Sequence, residues 1–265
     1  MVVAVISPHA HNNGNTMTSI LTALGLAELK KTVLLTHTSA RSDSFYQYLG
    51  LNSYEDKTST PTQLVKLMRE GAIKPEEIGD YCKSLMENCD VFTNNLKSFS
   101  EDDMFVLMNF LTSDSHYEYM IVDVDEDDLT KEIPALVLER ADIIILNMSQ
   151  SFLEIDRFKK MKEKMLKTFS GKKIMLVCNM WNNTVCKEKD FKSRFGEKVA
   201  LNVIHFNHWL RYACNTGNIM MVYKKVRQKD SRVVELGSDI ANLASNLNKL
   251  RLAILRTKKD GGTTK

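Results

Sequence analysis

Short, continuously apolar runs rich in valine and isoleucine alternate with stretches of helical spacing along almost the whole chain. This alternation restricts the fold more than any other feature. Residues 2–6, 32–36, 119–123, 142–147, 173–179 and 199–204 read as strands. A run that is apolar at successive positions is expected to be buried on both faces. Between these runs lie helical patterns, such as residues 18–30, 152–169 and 238–255; the last carries Ile240, Leu243, Ala244, Leu247 and Leu250 on one stripe. Strands that alternate with helices of this length imply parallel pairing through right-handed crossovers. The expected fold is a doubly wound, mostly parallel α/β sheet flanked by helices, as one domain over residues 1–256. Residues 257–265 read as a basic, disordered tail. Residues 37–95 look more helical, with Pro61 and Pro75 placed to open helices near 62–69 and 76–83. Ser100 is expected to cap a helix with a carboxylate-rich first turn that runs to Leu111.

Composition narrows the function classes. Of 265 residues, 43% are hydrophobic and 26% charged, which supports a packed core. A net charge of +3 gives no global field that demands nucleic acid or an anionic membrane. The five cysteines contain no C-x-x-C pair and suit neither a disulfide framework nor a zinc site. No apolar run approaches the ~18 residues of a membrane span. The first strand meets Ser7-Pro8 too early for a signal peptide, so the expected setting is cytoplasmic. Charge is unevenly spread, because residues 221–265 hold eleven basic and four acidic side chains. That segment is a packed helix with a solvated edge, or a surface for DNA phosphates or an anionic membrane.

In doubly wound folds ligands bind beyond the carboxyl ends of the strands. The first such end continues into residues 7–19, a polar loop that leads into a helix. Helix amides and the macrodipole favour an anion there. Against the phosphate-loop pattern G-x-x-x-x-G-K-[ST] the match is partial. Gly14 can be the final glycine, and Thr16 the hydroxyl that holds Mg²⁺, or Thr18 if the register shifts. Asn15 occupies the lysine position, and no lysine or arginine lies between Ser7 and Ser19. Taken alone, these residues read equally well as an Asn/Gly-rich turn that opens a helix. His9, His11 and His37 have no ligand partners in metal spacing and read as loop residues. Cys178 and Cys214 read as core, as do Trp181 and Trp209, although either tryptophan could stack on a base.

Read together, the motifs resemble the ParA/MinD superfamily of deviant-Walker ATPases, most closely the pilus-positioning TadZ/CpaE branch. Residues 7–18 match its phosphate loop and residues 33–38 its strand toward switch I. Residues 117–123 are similar to a Y-D-Y-I-I-I-D motif that ends in the Walker B aspartate. Residues 177–179 match the strand whose asparagine reads adenine, and residues 203–207 a late I-P-x-D segment. The resemblance covers nearly the whole chain, and the order of the motifs is its specific part. It implies ATP and Mg²⁺ as ligands. His11, Asn12, Asn13, Gly14, Asn15, Thr16 and Met17 would line the phosphates, Thr16 and Asp123 would hold the metal, and Asn179 and Phe206 would face the base. It also implies a homodimer formed across the nucleotide face and partners in a pilus, secretion or conjugation apparatus. Docking on DNA, or on a membrane or cell pole, would use the basic C-terminal segment.

The chain departs from the family at the positions that carry turnover. The signature lysine falls among His9, Ala10 and His11, the phosphate-loop lysine is Asn15, and the switch I D-x-D-P is replaced by Thr36-His37-Thr38-Ser39. Phosphoryl transfer depends on cationic stabilisation and positioning, so hydrolysis is expected to be weak or absent. Arg41, or the histidines, would be the substitute donors, and one of Asp125–Asp128 a substitute for orienting water. Two alternatives stand beside the nucleotide reading: a pseudo-ATPase scaffold that binds protein and no nucleotide, and an active ParA-like partition ATPase that binds DNA.

Overall fold

Side chains along the first strand sort into two layers. Val2, Ala4 and Ile6 join one core cluster while Val3 and Val5 join another on the opposite face, as the two-residue period of a strand requires. The structure is a computed structural model, and it describes all residues except 9–13, 40–43, 52–60, 93–99, 114–115, 125–127, 197–199 and 261–265. The strands are β1 (Val2–Ile6), β2 (Val33–His37), β3 (Lys83–Met86), β4 (Cys89–Val91), β5 (Tyr119–Asp123), β6 (Ile143–Ser149), β7 (Lys173–Trp181) and β8 (Leu201–His205). They form one sheet in the order β3-β4-β2-β5-β1-β6-β7-β8. Every pair is parallel except β3–β4. The expected doubly wound, mostly parallel sheet is therefore present.

The helices follow their strands: α1 (Asn15–Glu28), α2 (Ser44–Leu49), α3 (Pro61–Arg69), α4 (Glu101–Leu111), α5 (Glu132–Arg140), α6 (Phe152–Lys164), α7 (Leu166–Phe169), α8 (Glu188–Phe195), α9 (His208–Thr216), α10 (Ile219–Arg227) and α11 (Val234–Asp260). Ser100 caps α4 by accepting from the Asp103 amide, as its position predicts. On one face of the sheet α11 lies along α1. Gly25 permits this approach, because a Cβ there would sit 2.9 Å from Ile240 Cγ2 and 3.1 Å from the Ile240 carbonyl oxygen. Tyr223 Oη donates to the Leu24 carbonyl, and Tyr119 Oη to Asn248. At the end of β8 the His205 amide donates to Asp239 Oδ2 at 2.8 Å, which ties the sheet to α11.

Three expectations need correction. The helix expected near 76–83 is a 3₁₀ turn, Pro75–Tyr81, followed by the β3–β4 hairpin. Asn88 makes that hairpin possible with φ +68°, the left-handed geometry that tight hairpin turns need. The helix expected over 152–169 breaks at Met165, whose φ of −112° and ψ of 32° leave the helical region. The tail expected to be disordered from 257 instead continues α11 to Asp260. Thr257 Oγ1 donates back to the Ala253 carbonyl and Lys258 pairs with Asp142 at 3.1 Å; cations also suit a helix C-terminus.

Candidate functional site

The carboxyl ends of β1, β5, β6 and β7 converge on the start of α1. Gly14 opens the helix with φ +75°, a value that glycine adopts at little cost. A Cβ at that position would lie 3.1 Å from Asn179 Nδ2 and 3.4 Å from Met17 Cε, so glycine is also demanded by packing. The Thr18 amide donates to the Gly14 carbonyl at 2.8 Å and closes the first turn. The earliest amides of a helix have no partner within it, and the first turn of α1 holds no carboxylate to compete for them.

Register sets the next contact. Val5 pairs with Asp123 across β1 and β5, and His37 pairs with Asp123 across β2 and β5. This places the Asp123 carboxylate, fully buried, under the first turn of α1. Thr16 Oγ1 donates to Asp123 Oδ2 at 2.7 Å. Thr18 turns the other way and donates to Asn147 Oδ1 at 3.0 Å, so of the two threonines Thr16 is the one that meets Asp123. A hydroxyl and a carboxylate are hard oxygen donors of the kind Mg²⁺ takes, so these two side chains fit that ion.

Asn15, at the lysine position, is 7% exposed and its Oδ1 accepts from Asn147 Nδ2 at 2.9 Å. Asn179 is also buried and donates to Thr18 Oγ1 at 2.9 Å and to Asn147 Oδ1. Asn147 is thus the centre of the network, and motif matching passed over it. Its signal was available: it is the lone amide inside the apolar run 143–148, and a buried polar side chain needs partners.

His37 lies in the segment Thr36-His37-Thr38-Ser39, which departs from the D-x-D-P of the resembled family. It is fully buried and packs edge-on against Phe45 at 5.1 Å. Burial holds its pKa down at about 4, against a smaller opposing effect of the Ser39 backbone. The side chain is therefore a neutral imidazole at neutral pH and supplies no positive charge. Cys178 is buried at the end of β7, and burial pushes its thiol up, away from the thiolate a nucleophile needs.

Gly14, Asn15, Thr16, Met17, Asp123 and Asn179 thus lie together around the start of α1. Phe206 stands apart, just past β8, 40% exposed and edge-on to His208. Trp181 is core, with Nε1 donating to Asn183 Oδ1 at 2.7 Å. Trp209 lies between Arg232, 4.7 Å from its ring centroid, and Lys225 at 5.5 Å. His11, Asn12 and Asn13 lie outside the described residues, as do His9, Arg41 and Asp125–Asp127. No group of three or more His, Cys, Asp or Glu side chains forms a metal cage among the described residues.

A parallel sheet with a glycine-led helix at its central carboxyl edge, and a Thr–Asp pair beneath that helix, defines the P-loop NTPase-like class of α/β protein. Within that class the architecture is the one found in ParA and MinD ATPases. A ParA family ATPase from Chlorobium tepidum superimposes with a TM-score of 0.68 at 15% identity, covering 93% of this chain and 98% of the other. MinD from Pyrococcus horikoshii, solved with Mg-ADP, gives 0.66 at 16%, covering 94% and 96%. A plasmid partition protein from Borrelia burgdorferi, bound to AMPPNP, gives 0.60 at 17%, covering 84% and 98%. No family model and no curated protein sequence matches the chain.

Proposed function

We propose that this chain is a nucleotide-binding protein of the ParA/MinD fold that holds ATP and Mg²⁺ at the start of α1 and turns the nucleotide over weakly or not at all. The observation that carries the reading is the Thr16–Asp123 hydrogen bond of 2.7 Å. Oxygen donors to a cation are retained beside a helix N-terminus that suits a phosphate. When bound, Mg²⁺ would neutralise part of the phosphate charge. Gly14 and the first turn of α1 would seat the phosphates, while Thr16 and Asp123 would hold the metal. Asn179, packed beneath Gly14, would stand toward the base. The structures of MinD with Mg-ADP and of a partition protein with AMPPNP support this assignment by analogy of fold.

Weak turnover follows from the side chains. Asn15 is neutral and engaged with Asn147, and Thr36 and Thr38 stand where the D-x-D-P carboxylates would orient water. Nucleotide would then act as a conformational ligand, shifting a monomer–dimer equilibrium through its different affinity for the two states. A pilus, secretion or conjugation apparatus is the proposed client, on the TadZ/CpaE resemblance of the motifs. No helix among the described residues is long and apolar enough to cross a membrane.

Titration calorimetry of the full chain with ATP and Mg²⁺, followed by sedimentation, tests the proposal. Saturable heat and a ligand-dependent dimer are expected. Absence of heat at millimolar nucleotide would replace it with the pseudo-ATPase scaffold, which the hydrogen bonds of Asn147 with Asn15, Thr18 and Asn179 favour. The partition-ATPase reading draws on Lys224, Lys225 and Arg227 in the last turn of α10. Phosphate release stimulated by DNA would support it.

A further inference from the structure

The first turn of α1 is gripped from both strands that flank β1, since the sheet order puts β5 on one side of β1 and β6 on the other. From β5, Asp123 Oδ2 accepts from Thr16 Oγ1 at 2.7 Å. From β6, Asn147 makes two bonds to the same turn. Its Nδ2 donates to Asn15 Oδ1 at 2.9 Å, and its Oδ1 accepts from Thr18 Oγ1 at 3.0 Å. Asn15 and Thr18 stand at i and i+3, on one face of the helix, while Thr16 between them turns to β5. Asn179 Nδ2 donates to Thr18 Oγ1 and Asn147 Oδ1 and braces this grip from β7.

The two-residue period of β6 sets Asn147 on the face of Ile143 and Ile145, the face that α1 covers. An apolar side chain would fill that place without needing partners. A buried amide needs them, and its donor and acceptor sit at fixed ends. It therefore meets Asn15 Oδ1 and Thr18 Oγ1 together at only one rotation of the turn about the helix axis. A roll of roughly 20° carries a side-chain oxygen about 1.5 Å, which is enough to break a hydrogen bond. We propose that Asn147 is a positioning residue for the cation site: by holding Asn15 and Thr18 it fixes the rotation of the first turn and keeps the Thr16 hydroxyl on Asp123. The proposal rests on the nucleotide-binding reading above, which seats Mg²⁺ at Thr16 and Asp123. Side chains that orient metal ligands without touching the metal commonly account for ~10–100-fold in metal affinity.

Calorimetric titration of the full chain with ATP, once with Mg²⁺ and once with EDTA, gives the gain in affinity that the metal confers. Asn147→Leu keeps the size of the side chain and loses both bonds. It should cut that gain by ~10–100-fold while the affinity in EDTA stays that of the wild type. A purely structural role would lower Tm alone or weaken both titrations equally, and either result in the folded variant overturns the proposal. Thr18→Val removes one of the two bonds and reads the same quantity if Asn147→Leu does not fold; it should lose a smaller part of the gain, and an undiminished gain overturns the proposal. Without any ligand, a crystal structure of Asn147→Leu should show Thr16 Oγ1 out of hydrogen-bond range of Asp123, and a retained contact overturns the proposal. Wild-type ATP binding with no gain from Mg²⁺ would remove the cation site, and the role of Asn147 with it, while nucleotide binding stands. No ATP binding by the folded wild-type chain would overturn both readings.

Discussion

Thr16 Oγ1 and Asp123 Oδ2 lie 2.7 Å apart and join the first turn of α1 to the end of β5 across 107 residues of chain. The pair places a fully buried carboxylate at the start of α1. Burying a carboxylate is costly, and a cation bound at this pair would offset part of that cost.

The Asp123→Asn variant separates these two effects. It removes the buried charge while keeping an acceptor for Thr16, so its unliganded Tm should equal or exceed that of the wild type. The stabilisation by Mg²⁺ with nucleotide should disappear. Differential scanning fluorimetry with and without Mg-ATP checks both halves. A variant that keeps the wild-type ligand shift would show that Asp123 holds no metal.

Turnover should resist repair at a single position. Losing one well-placed stabilising group commonly costs ~10²–10³ in rate, and here both the lysine position and the switch carboxylate are changed. Asn15→Lys is therefore expected to raise nucleotide affinity while phosphate release stays at the background of the assay. Release that rose by ~10² in this one variant would mean that the rest of the catalytic apparatus is intact.

The architecture was legible from strand and helix periodicity because each central strand is apolar on both faces. Tyr119–Asp123 appears with the bounds its pattern implies. The hairpin β3–β4 was hidden for a physical reason. Lys83 and Ser84 are exposed, and the pairing depends on the positive φ of Asn88 rather than on an apolar run. In the proposed site, motif order singled out Gly14, Thr16 and Asp123, which lie together at the start of α1. What a pattern of single residues does not convey is which side chains satisfy each other. Asn147 belongs to no quoted motif, yet it orients Asn15 and holds Asn179 and Thr18.

Acid sensitivity should trace to His37. Its folded pKa is about 4 against 6.5 for an unperturbed imidazole, with burial the main cause. Between those values the unfolded chain takes up a proton that the folded chain refuses. Its contribution to stability is therefore complete above pH ~6.5 and is lost as pH falls toward the folded pKa, roughly 3 kcal/mol in all. Chemical denaturation of wild type and His37→Leu over this range gives the test. The difference between the two curves should slope in the interval from 6.5 to about 4, and parallel curves would mean the histidine titrates alike in both states.

The seam between α1 and α11 should be intolerant of one methyl group. Gly25 lies inside α1, where alanine is the better helix former by ~1 kcal/mol. On propensity alone Gly25→Ala would stabilise the protein. A Cβ there would however meet Ile240 Cγ2 at 2.9 Å, Ala244 Cβ at 3.0 Å and the Ile240 carbonyl oxygen at 3.1 Å. The carbonyl belongs to helix backbone and has no rotamer to escape into, so α11 as a whole must shift. Overpacking of this kind costs typically ~1–3 kcal/mol, which equals or outweighs the propensity gain. The expected result is a Tm lowered by a few degrees, about 2–4 °C for each kcal/mol lost in a domain of this size. Thermal melts of the two proteins at equal concentration decide it, and a variant that melts above wild type would show that α11 slides freely on α1.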